Sequence, residues 1–229
     1  MRRPTISSKL KLTYLALAAT DTWLSGHSAP LAHRARFVTK PLLMPVLAAS
    51  LATNERAVGS PLRTSTLIAQ AGGWGGDIAL LGSGTKPFLA GAGSFGVGHL
   101  AYVAGFLRRR DHSPVRDDTS VKVVAGTWAL TAPVMAFLAG RQKRELGGPV
   151  LGYGTLLAVM AAAASHLDPT VPASARRLTA AGAALFMLSD SMLGFRKFAL
   201  SDPPAELETA VMATYTAAQF LLSEGAARA

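Results

Sequence analysis

Apolar residues fill this chain in long blocks, separated by short joints rich in charge, proline or glycine. Within the blocks, polar positions do not recur every three to four residues, as they would on a helix with one wetted face. The stretch LFMLSDSMLGF has no such stripe. A hydrocarbon core of roughly 30 Å takes about 17 to 25 residues per helix. On that measure the pattern predicts eight spans, near residues 10–26, 38–53, 62–82, 87–107, 120–140, 147–167, 176–195 and 206–223, the second and fifth being the weakest. The fold class is therefore all-α: a polytopic membrane helix bundle of about eight transmembrane helices in one domain, residues 1–229. The alternative, a soluble bundle, would need the missing polar stripe. The first run follows Arg2, Arg3, Lys9 and Lys11 and so also has the outline of a signal peptide ending near Ser28 and Ala29. Asp21 interrupts its apolar region, however, and no small-x-small cleavage site follows.

Composition refines this picture. Half of the 229 residues are hydrophobic, but alanine and 22 glycines hold the mean hydropathy to +0.30. Small residues of this kind let transmembrane helices approach closely. The net charge is +10, and its distribution sets an orientation: with a cytoplasmic N-terminus, 14 of the 23 Lys and Arg fall on inner segments. That bias predicts a multi-pass protein of the cell membrane with both termini cytoplasmic, its loop charge facing anionic lipid. The basic stretch RRRDHSPVRDD is short and mixed in sign, so nucleic acid is not an expected partner. With no cysteine there is no disulfide, thiol nucleophile or Cys-bound metal, and the five histidines form no ligand pair. No metal and no cofactor is expected. Gly91 to Gly96 satisfies G-x-G-x-x-G, and Ser94 comes within one residue of a hydrolase elbow, but both devices need a strand before them. Helix packing is the better reading of this stretch.

The candidate chemistry lies in the few polar residues inside the spans: Asp21, Asp77, His99, Tyr102, Asp190, Tyr215 and Gln219. An ionisable group at membrane depth is costly unless it faces the bundle interior or a wet cavity. Asp21 lies near the end of its span and is expected to be solvated. Asp77 follows Arg63 by 14 residues and Asp190 follows Arg177 by 13, which puts both carboxyls roughly 20 Å from the same boundary. Asp77 to Tyr102 and Asp190 to Tyr215 are both 25 residues, which suggests a parallel 4+4 repeat offset by 113. His99 shares a helix face with Tyr102, and Tyr215 shares one with Gln219.

TKPLLMP at 39–45, GDIALLG at 76–82, FGVGHLAY at 95–102, LFMLSDSMLGFRKF at 185–198 and TYTAAQFLL at 214–222 together resemble the YhhN-like lysoplasmalogenase family of eight-span membrane proteins. The resemblance implies hydrolysis of the vinyl ether bond of a lysoplasmalogen, which releases a fatty aldehyde and a glycerophospho-headgroup. It also implies that Asp77 and Asp190 are catalytic. The chemistry suits them: protonating an enol ether on carbon needs an acid, and capturing the resulting cation with water needs a base. Two carboxyls in a desolvated site can divide those roles, although the sequence does not say which is the acid. His99, Tyr102, Tyr215 and Gln219 are then the groups that orient the carboxyls and the water, while Lys40 and Lys197 are candidates for the headgroup phosphate. The partners are a lysophospholipid substrate and membrane lipid. Two other readings of the same carboxylates are a proton-coupled or small-solute transporter and a lipid-binding protein without turnover.

Overall fold

The computed structural model describes residues 5–114 and 118–229. They form eight α-helices: α1 (Ile6–Ser25), α2 (Pro30–Ala52), α3 (Arg63–Ala79), α4 (Thr85–Leu107), α5 (Thr119–Gln142), α6 (Gly147–Ser165), α7 (Ala173–Phe198) and α8 (Ala205–Ala226). Among the described residues there is no strand beyond a single antiparallel bridge between Arg110 and Leu167. Every predicted run holds one helix, but the ends differ. Pro30, pre-set for a first helical turn, starts α2 eight residues before the predicted boundary. Asp118 caps α5 by accepting from the backbone N–H groups of Ser120 and Val121. These two helices, the weakest runs in the sequence, are now among the four that are long and apolar enough to cross a membrane, with α6 and α7. Of the other four, α3 is only 17 residues long and the rest are diluted by glycine, hydroxyl or charge.

The helices alternate in direction. Ser7 donates to the Ser50 carbonyl, Lys11 pairs with Glu224 and Arg63 donates to the Ala52 carbonyl, so these contacts gather both chain ends at one pole of the bundle. At the opposite pole Gln142 reaches the carbonyls of Lys197 and Phe198, and Lys143 reaches Thr85. Three charges counted at the first pole, Arg2, Arg3 and Arg116, lie outside the described residues.

Large apolar side chains face outward on every helix except α8, among them Leu12, Phe37, Ile68, Val97, Leu130 and Leu188. Polar side chains such as Asp77, Gln70, His99 and Gln219 face inward. This arrangement is the reverse of a soluble protein and suits a lipid solvent. Helix α8 exposes none of these large groups because α1, α2, α3 and α7 enclose it. Of the G-x-G-x-x-G glycines only Gly91 closely meets the α3 side, where a Cβ would lie 2.8 Å from Leu80, while one on Gly93 would meet nothing within 4 Å; the tight α3–α4 approach is made by glycines outside that motif. A Cβ on Gly72 would lie 2.7 Å from the Gly98 backbone nitrogen, and one on Gly98 would lie 2.8 Å from the Ala69 carbonyl oxygen. Ser94 donates its hydroxyl to the Gly72 carbonyl at 2.7 Å, so it ties two helices together.

Candidate active site

At the pole opposite the termini, the ends of α1, α3 and α7 and the beginnings of α2, α4 and α8 surround a polar cavity of about 1400 Å³, its mouth included. Asp77 and Asp190 both line it, as do Lys40 and Lys197.

Local sequence explains how Lys40 arrives there. Pro45 has no N–H to offer the carbonyl four residues back, so the Pro41 oxygen loses its helical partner. The Trp74 indole on α3 donates to that oxygen at 2.9 Å. This bond fixes α2 against α3 one turn before Asp77, and Lys40 comes within 3.8 Å of Oδ1 of Asp77. On the other carboxylate oxygen Asp77 accepts from the Tyr215 hydroxyl at 2.7 Å. Asp77 and Lys40 are both buried.

Asp190 is half-buried and differs in its company. Tyr153 on α6 donates to its Oδ2 at 2.5 Å, and the same hydroxyl lies 3.1 Å from Nε2 of His99. Because Tyr153 has a single hydroxyl proton and gives it to Asp190, His99 must donate from Nε2, which leaves Nδ1 as an acceptor. No ion pair reaches Asp190 among the described residues. Phe95 and Phe186 separate the two arms of the site: each stands edge-on to the Tyr215 ring, and Phe186 also contacts His99.

The orienting residues divide accordingly. Tyr215 touches Asp77 directly, and His99 reaches Asp190 through Tyr153. Tyr102 donates to Gln219 at 3.2 Å, so this pair sits one step behind Tyr215 and touches neither carboxylate. Lys197 lies over the Phe88 ring at 4.6 Å. The 4+4 repeat finds no support in these contacts, since Tyr215 serves Asp77 and Asp190 takes its hydroxyl from Tyr153 rather than from Tyr102.

Asp21 requires a correction. It is fully buried, accepting from Thr39 at 2.6 Å and facing Arg36 at 3.5 Å. Arg36 also reaches Glu208, whose second oxygen meets Arg196. Because α2 begins before the predicted boundary, Arg36 lies inside the bundle and gives Asp21 a partner that a loop position would not have supplied. Arg36, Arg196 and Glu208 line the polar cavity; the sequence pattern treats the two arginines only as loop charge and does not single out Glu208, which falls inside the predicted run 206–223. Tyr153, in LGYGTLL, carries no charge and stands alone in an apolar helix, so nothing in the pattern singles it out.

A model describing the YhhN family matches residues 35–226. The chain belongs to the YhhN family, the lysoplasmalogenase family. The matched span includes every candidate site residue from Lys40 to Gln219 and omits α1. No curated protein and no solved structure matches the chain. For this YhhN chain the arrangement offers a buried carboxylate beside a lysine, a second carboxylate without one, and cations around their shared cavity.

Proposed function

We propose that this protein hydrolyses the vinyl ether bond of lysoplasmalogens, giving a fatty aldehyde and a glycerophospho-headgroup, with Asp190 as acid and Asp77 as base. The observation that carries the reading is that two carboxyl groups with different partners line one cavity. Lys40 offsets the charge of Asp77, as suits a base; Asp190 has only a neutral hydroxyl beside it, as suits a proton donor. Tyr153 occupies Oδ2 of Asp190, and Oδ1 is free to hold the transferable proton.

The reaction then runs as follows. Asp190 gives its proton to the alkenyl carbon beta to the ether oxygen, and the adjacent carbon becomes an oxocarbenium ion facing the Asp77 carboxylate. Water adds to that carbon while Asp77 takes one of its protons, forming a hemiacetal. Asp190, now ionised, accepts the hemiacetal hydroxyl proton as the C–O bond to glycerol breaks. Asp77 returns its proton to the departing glycerol oxygen, and both carboxyls are restored. Lys197, which has no carboxylate partner among the described residues, supplies positive charge for a headgroup phosphate, and Arg36, Lys40 and Arg196, each already paired with a carboxylate, stand around it. With both termini cytoplasmic, as the charge bias favours, the cavity opens on the outer face and all eight helices cross the bilayer.

Purified protein in lipid nanodiscs, incubated with alkenyl lysophosphocholine, is expected to release aldehyde. Asp77→Asn and Asp190→Asn keep shape and each is expected to lower turnover by about 10²- to 10⁴-fold, the usual worth of a general acid or base. Full activity in either variant rejects that residue's role. Intact substrate, with solute flux into sealed vesicles, would favour a transporter instead.

A further inference from the structure

A second space borders the polar cavity at Asp190. It is a narrow apolar recess among α4, α5, α6 and α7, about 920 Å³ with the open space at its mouth included and about 110 Å³ by the centre of a water-sized sphere, lined by residues such as Phe88, Ala92, Thr131, Ala132, Met135 and Leu157. Leu80, Phe88, Phe95, Asp190 and Leu193 border both spaces. Along α6 the recess extends from Pro149 to Leu157, about 12 Å at 1.5 Å per residue. Its few polar groups gather beside Asp190, level with Tyr153 midway along that length, or are already engaged: the Trp128 indole gives its N–H to Thr155. Helices α4 and α5 face each other across the recess yet scarcely touch, because α5 packs on α6 and, less, on α7. Of the four apolar candidate spans α5 is the least enclosed, and its outer face presents Leu130, Val134 and Phe137.

We propose that this recess holds the hydrocarbon chain of a single-chain lipid and that the seam between α4 and α5 is the lateral opening through which the chain slides in from the bilayer and the aldehyde leaves. The inference rests on the reading that Asp77 and Asp190 act on a lipid. It adds where the chain lies and how it travels. A headgroup among the cavity cations puts the bond to be broken at Asp190, and from there the recess is the apolar continuation. Lateral passage keeps the chain out of water, where each exposed methylene would weaken binding about fourfold. Passage through the polar mouth would draw the whole chain past Arg36, Lys40, Arg196 and Lys197.

The test is photolabelling of the full chain in phosphatidylcholine nanodiscs with a non-hydrolysable alkyl ether lysophosphocholine bearing a diazirine at its chain end. Adducts are expected on recess residues of α4, α5 and α6, such as Ala92, Met135 and Leu157. Adducts confined to α1, α2 and α8, or matching those of a diazirine on the bulk diacyl lipid, would overturn the proposal. Ala92→Trp fills the recess and should weaken the long-chain probe, relative to a short-chain analogue, about fifteenfold for every two methylenes displaced. Thr131→Trp, at a half-exposed position, gives the same readout if Ala92→Trp does not accumulate; unchanged ratios in a folded variant also overturn the proposal. Because the probe is not cleaved, its labelling is independent of catalysis. Recess adducts without aldehyde release would reject the proposed reaction, whereas aldehyde release with adducts elsewhere would reject the chain site.

Discussion

Tyr153 is the residue on which the difference between the two carboxyls turns. Its hydroxyl fixes one oxygen of Asp190 and is itself held by His99, so in the proposed reaction this carboxyl would be aimed by a neutral relay. Tyr153→Phe removes that hold while keeping the ring that lines the recess. The expected result is a fall in kcat of about tenfold, the usual cost of losing one hydrogen bond to a charged or reacting group, with KM unchanged. A rise in KM alone would show that the hydroxyl binds substrate instead. The carboxylates themselves were legible because a charge inside an apolar block is conspicuous. Tyr153 was not, since a tyrosine in such a block is an ordinary interior residue until a neighbouring helix presents a carboxylate to it.

Among the elements, α2 carries a bond that depends on a proline pair. The Pro41 carbonyl, deprived of its helical donor by Pro45, takes the Trp74 indole, and Lys40 is placed beside Asp77 as a consequence. Trp74→Phe leaves that carbonyl without a partner in an apolar setting. A loss of about 1–3 kcal/mol in stability is expected, visible as a lower Tm in nanodiscs, with reduced turnover as Lys40 loosens. At the other pole, His166 follows α6 and contacts Asp118, the cap of α5, at 3.0 Å. The hydrogen bond to Asp118 raises the pKa of His166 above its ordinary 6.5. Burial pushes Asp118 upward, but bonds from His166, Ser120 and Val121 outweigh it and leave its pKa below the ordinary 3.8. The histidine's contribution is fully present below about pH 6.5 and is lost as pH rises through its higher folded value. The aspartate's is present above about pH 4 and is lost on acidification. Thermal stability is therefore expected to be higher at about pH 5.5 than at about pH 8.5. His166→Gln should flatten that difference, and an equal pH response in the variant would place its origin elsewhere.

For the whole molecule, alternating helices collect the cavity, both carboxylates and four cations at the pole opposite the two termini. The absence of cysteine makes this orientation simple to check. Ser201→Cys, exposed between α7 and α8, should react with an impermeant maleimide in intact cells, whereas Val58→Cys at the other pole should react only after permeabilisation. The reverse pattern would turn the cavity toward the cytoplasm. The sequence also suggested a duplicated four-helix unit from matching 25-residue spacings. The contacts follow packing instead: enclosed by its neighbours, α8 serves Asp77, while α6 serves Asp190.

The sequence by itself determined the helices, their number and approximate positions, the acids within them and the uneven distribution of positive charge. Each of these follows from local patterning: a helix needs only its own residues to satisfy its backbone, and a charge in an apolar run is visible without partners. Tertiary structure decided which groups meet. It buried Asp21 against Arg36, gave Lys40 to Asp77 and Tyr153 to Asp190, and left a gap between α4 and α5. Those outcomes depend on rotation and closest approach of separate helices, set by contacts such as Gly72 on Gly98 and Trp74 on Pro41, and distance along the chain carries no record of them.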